Sequence, residues 1–129
     1  MRKLMWILPL LLLVIPVGAA AQVSGCPTGQ HGICISWTPS TTNSVTTTTL
    51  VRGLTPGGEV LGTYVCTMPQ ATASCLDQTG VPGITYYYKA AAWDAPGPPN
   101  GLESPLSNEA SAVYPTAPSS PTGTTATPQ

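Results

Sequence analysis

Four cysteines, one histidine and five carboxylates are the residues of this 129-residue chain whose chemistry could do work. The cysteines, Cys26, Cys34, Cys66 and Cys75, carry the most information. An even count in a chain that opens with an export signal is the setting in which disulfides form and persist. Four cysteines allow three pairings. Local pairing, Cys26 with Cys34 and Cys66 with Cys75, is favoured because each closes a short loop across a turn-rich segment, Pro27 to Gly32 and Met68 to Ala73. Zinc is disfavoured by spacing: neither interval is that of the closely spaced knuckles of structural zinc, and His31 is the lone histidine. No metal or cofactor is expected.

Hydrolysis by the carboxylates would need two acids facing one cleft with separated pKa values. Asp94 and Glu103 flank one loop and form the single candidate pair, while Asp77 is expected toward the opposite end of the fold. Solvated loop charge accounts for all three more simply. A Ser-His-Asp arrangement would have to use His31, which sits in a Gly-Gln-His-Gly turn, and no nucleophile elbow occurs anywhere in the chain. No catalytic residue is expected. Charge is equally restrictive, because beyond Arg2 and Lys3 the only cations are Arg52 and Lys89. Phosphate binding needs a cluster of cations, so nucleic acid is excluded as a partner.

These residues need a compartment and a scaffold. Residues 1–21 read as two cations, an apolar run from Leu4 to Val17, then small residues, the order of a secretory signal peptide. As a helix that run would be about 21 Å long, short of the ~30 Å hydrocarbon core, and Pro9 and Pro16 weaken it. Ala19 and Ala21 fit the cleavage pattern, so the mature chain is expected to start at Gln22. The tetrapeptide Val23-Ser24-Gly25-Cys26 resembles a lipobox, which leaves acylation of Cys26, and with it a membrane anchor, as the competing outcome. The secreted, periplasmic or envelope space is the expected location.

Periodicity along 22–115 predicts short strands. Ile33, Ile35 and Trp37 alternate with Cys34 and Ser36; Val45 to Arg52 is a β-branched run closed by Gly53 and a Thr-Pro-Gly-Gly turn. Glu59 to Thr67, Ser74 to Asp77, Ile84 to Ala95 and Asn108 to Tyr114 follow, separated by glycine and proline turns. In the fifth run Tyr86, Tyr88, Ala90 and Ala92 share one face, and Tyr87, Lys89, Ala91 and Trp93 the other. Six or seven such strands in this length predict an all-β, immunoglobulin-like β-sandwich of about seven strands. Trp37, Tyr86 and Tyr88 are expected to be buried together, with Ile35, Leu50, Ala90 and Ala92 around them. Trp93 and Tyr87, on the opposite face, are the candidate aromatic platform for a sugar or peptide, against the simpler reading that neighbouring side chains cover that face.

Ile35-Ser36-Trp37-Thr38-Pro39-Ser40 is similar to the B strand of fibronectin type III domains, with its early tryptophan. Val51-Arg52-Gly53 resembles the end of strand C. Pro82-Gly83-Ile84-Thr85-Tyr86 resembles the turn and F strand whose tyrosine forms the tyrosine corner, here Tyr86. Glu103-Ser104-Pro105-Leu106-Ser107-Asn108-Glu109 resembles the connection from F to G in bacterial members. The resemblance spans about residues 30–115 and implies the fold, without implying an activity. It also places Cys75 in strand E, where a partly buried Cys66–Cys75 bridge would stand in for an aromatic, and it leaves the A strand in doubt, with a Cys26–Cys34 bridge as the tether instead. The expected role is an exported, non-catalytic interaction or spacer module acting on a protein or glycan partner, with a carbohydrate-binding or enzyme-accessory module and a lipid-anchored envelope lipoprotein as alternatives. Residues 116–129, rich in Pro, Thr and Ser and free of charge, cannot bury enough surface to fold and read as a disordered linker or a glycosylated tail.

Overall fold

The structure, a computed structural model, describes residues 25–128, so the signal peptide over 1–21 and the start at Gln22 lie outside the described residues. Six strands form: β1 (Ile33–Ser36), β2 (Val45–Gly53), β3 (Tyr64–Pro69), β4 (Ser74–Asp77), β5 (Thr85–Asp94) and β6 (Ala110–Val113). They make two antiparallel sheets, β1–β4 and β3–β2–β5–β6. The described residues contain no helix. The all-β class is as expected, with six strands instead of about seven.

The largest difference falls on Glu59 to Thr67, where only the second half is strand. Gly57 and Gly62 hold φ of 71° and 78°, a left-handed backbone that glycine adopts freely and that breaks an extended run. The chain from Leu54 to Thr63 is therefore a looped segment, tied to β2 by the Val60 N–H donating to the Arg52 carbonyl. β3 begins at Tyr64 and pairs with β2 through a register shift at Leu50/Val51, where Val65 is the extra residue. The bulge sends Cys66 to the inner face beside Leu50 and Tyr64 to the outer face beside Val51.

The inner faces enclose one core of Ile33, Ile35, Leu50, Cys75, Tyr86, Tyr88 and Tyr114. Tyr86 and Tyr88 are buried as expected. Trp37 is not: it stands one residue past β1, half-buried, and packs on the core from its edge with Ala90, Val65 and Met68. β1 ends at Ser36, so the indole lies at the open border between the sheets, where it lines two surface depressions. Both cysteine pairs stand at disulfide distance, with Cα–Cα separations of 5.8 Å for Cys26–Cys34 and 6.5 Å for Cys66–Cys75. The second joins the two sheets, from β3 to buried Cys75 on β4; the first fastens the N-terminal segment to β1. Residues 115–128 are exposed and carry no strand.

Candidate interaction surface

The face of Trp93 and Tyr87 follows the simpler reading, in which neighbouring side chains cover it. Trp93 is only 5% exposed. Its indole N–H donates to Thr49 Oγ1 at 2.9 Å and its ring meets the edge of Tyr64 at a centroid distance of 6.3 Å. The outer face of the four-stranded sheet thus has its own buried layer, Thr49, Val51, Ala91 and Trp93, with Tyr87 half-buried beside it. The bulge in β3 is the cause, since it turns Tyr64 onto this face. Next to the layer the Lys89 ammonium reaches Glu59 at 3.0 Å and Glu109 at 3.5 Å, and Glu109 also accepts the Gly57 N–H. Burial pushes the Glu59 carboxyl up, but the hydrogen bonds from Lys89, the main chain and Glu109 and the Lys89 charge together outweigh it and hold the group below its ordinary value.

Asp77, expected as a solvated loop charge, is 1% exposed and saturated with hydrogen bonds. Oδ2 accepts from Arg52 Nη1 (2.7 Å) and the Tyr88 hydroxyl (2.8 Å), and Oδ1 accepts from the Thr79 N–H (2.9 Å) and Oγ1 (2.7 Å). Burial raises its pKa; the donors from Thr79, Arg52 and Tyr88 prevail and lower it. Burial and the adjacent carboxylate push the Tyr88 phenol well up. The Arg52 guanidinium lies over the Tyr86 ring at 4.4 Å, and the Tyr86 hydroxyl accepts the Val81 N–H at 2.9 Å. Asp94 closes its loop by accepting the Leu102 N–H, while Glu103 is exposed. His31 is an exposed turn residue.

What remains is a trough along the free edge of β1. The Trp37 N–H donates to the Ala73 carbonyl, extending the register in which Ile35 faces Cys75 and Ile33 faces Asp77. Main-chain groups alternate along an antiparallel strand, so those of Cys34 and Ser36 point away from β4, where no strand of the described residues lies beside them. Across from this edge run β6 and the Ser104–Asn108 segment, whose serine hydroxyls accept the Ala92 and Ala90 N–H groups. Three adjoining depressions of about 170, 200 and 200 Å3 line the gap. Trp37 borders two of them, and its buried Nε1 has no hydrogen-bond partner. The one charged lining residue, Lys89, directs its ammonium to Glu59 and Glu109. A larger concavity of about 530 Å3 beside Cys26 offers less, because Ser74 and Gln78 on its wall are already bonded to Gly25 and to the His31 carbonyl.

Sequence reasoning singled out Trp37 as core and missed the trough. Comparison with protein-family models, with curated proteins and with solved structures finds no match to this chain.

Proposed function

We propose that the chain is an exported, non-catalytic interaction module with a fibronectin type III fold, and that the trough along β1 is its working surface. Two features support the fold. The strands lettered by resemblance as B and E pair in one sheet, and those lettered C, F and G lie together in the other. Tyr86 makes the backward bond of a tyrosine corner, to the N–H five residues upstream. The observation that carries the function is the outward row of main-chain groups at Cys34 and Ser36, which pair with no strand among the described residues and border the trough, a surface that recognises an extended chain through its backbone. Of the five acids, Glu59, Asp77, Asp94 and Glu109 hold internal hydrogen bonds, which supports binding over catalysis. The two cysteine pairs fit an oxidising compartment.

The test is amide hydrogen exchange on the full chain with and without cell-envelope fractions of its source. Binding that slows exchange at Cys34 and Ser36 supports the reading. The absence of any binding, protection confined to other elements, or turnover of ester, peptide or glycoside substrates by the purified chain overturns it.

A further inference from the structure

We propose that the trough takes a strand from a second copy of this chain, the tail segment Thr122–Thr127, so that copies associate by strand donation. The edge of β1 lacks the usual guards against such pairing: Ile33, Cys34, Ile35 and Ser36 include no charge and no proline. The trough around it is lined by the small side chains of Ala90, Ala110 and Ala112, which leave room for a backbone.

The tail matches this chemistry. Residues 115–128 are exposed, carry no charge and pair with no strand. Prolines at 115, 118, 121 and 128 leave Thr122–Thr127 as the longest proline-free run, rich in β-branched threonine. Six extended residues reach about 20 Å, more than the four-residue edge requires. Gly123, at φ 74°, must become extended, which glycine does freely.

A second copy is favoured over the same chain by the direction of exit. Tyr114 is held to Ile84 and Gly83 by two main-chain bonds, so the tail leaves beyond the Ile33–Ala112 end of the trough. Re-entry in cis would demand a reversal within Pro115–Pro121, whose three prolines hold it extended. Donation from one copy to the next makes a closed dimer or an open chain.

The proposal goes beyond the interaction reading, which requires an envelope partner and survives if self-association fails. Its test is sedimentation of the full, disulfide-bonded chain over a concentration series to about 1 mM, which reveals association with a dissociation constant in the millimolar range. The mass should rise above that of the monomer, and excess synthetic peptide of residues 115–129 should return it to monomer. Ser36→Pro removes an outward N–H without touching the β4 ladder, and should weaken association at least about tenfold. Thr125→Pro does the same from the tail, where it contacts nothing in the fold, so a folding defect in the first variant leaves the test intact. A chain that stays monomeric throughout, or one whose association ignores the peptide or Thr125→Pro, overturns the proposal.

Discussion

The Tyr88 hydroxyl donates to Asp77 Oδ2 at 2.8 Å, inside the interface between the two sheets. Tyr88 belongs to β5 and Asp77 to β4, so this bond and the Arg52 guanidinium on the same oxygen couple sheets that share no ladder. A buried carboxylate is tolerated because four donors replace its water.

Acid stability should report this site. The Asp77 pKa is lowered in the fold, so its contribution is complete above the unfolded carboxyl value of about 3.9 and is lost as pH falls through the lower folded value. Thermal unfolding between about pH 5 and 2 should show the midpoint falling below pH 4 in the wild type. Asp77→Asn should be less stable at neutral pH and lose much of that acid dependence, the remainder coming from Glu59, whose pKa is lowered in the same direction. Tyr88→Phe should cost about 1–3 kcal/mol by leaving the carboxylate one donor short. An Asp77→Asn profile parallel to the wild type would contradict this account.

Two tryptophans should exchange the ranks that alternation alone assigns them. Trp93→Ala empties a buried site and strands Thr49 Oγ1, a loss of about 3–5 kcal/mol. Trp37→Ala removes a half-buried ring and should cost roughly half as much. Denaturant titration of both variants compares them directly, and a Trp37→Ala midpoint below that of Trp93→Ala would place the indoles wrongly.

The cysteine pairs are open to chemical count. Thiol titration of the denatured, unreduced chain should find none free, and peptide mapping should join 26 to 34 and 66 to 75. A sulfur bound in a disulfide is closed to thioether acylation, so the exported chain should begin at Gln22 without lipid. Each bridge closes a loop of about ten residues and should contribute about 2–3 kcal/mol. Replacing Cys66 and Cys75 together by alanine should cost more than replacing Cys26 and Cys34, because Cys75 also fills the core. A free Cys34 thiol with a diacylglycerol on Cys26 would establish the anchored alternative.

Strand identity, the local cysteine pairing and the burial of Tyr86 and Tyr88 were legible in the sequence because each depends on period-two alternation, turn residues or short loop closure, which act between near neighbours. Alternation also sorted β5 correctly into two faces. It could not say that both faces would be covered. That followed from the bulge at Val65, which turns Tyr64 over Trp93 only once β3 has found its register on β2. The same limit hid Asp77, whose charge reads as solvated until Arg52 from β2 and Tyr88 from β5 converge on it across the sandwich. The trough beside β1 is likewise a product of assembly. An edge is free only relative to the strands that fail to reach it, and no residue of Ile33–Ser36 records that its outward N–H and carbonyl groups face a gap.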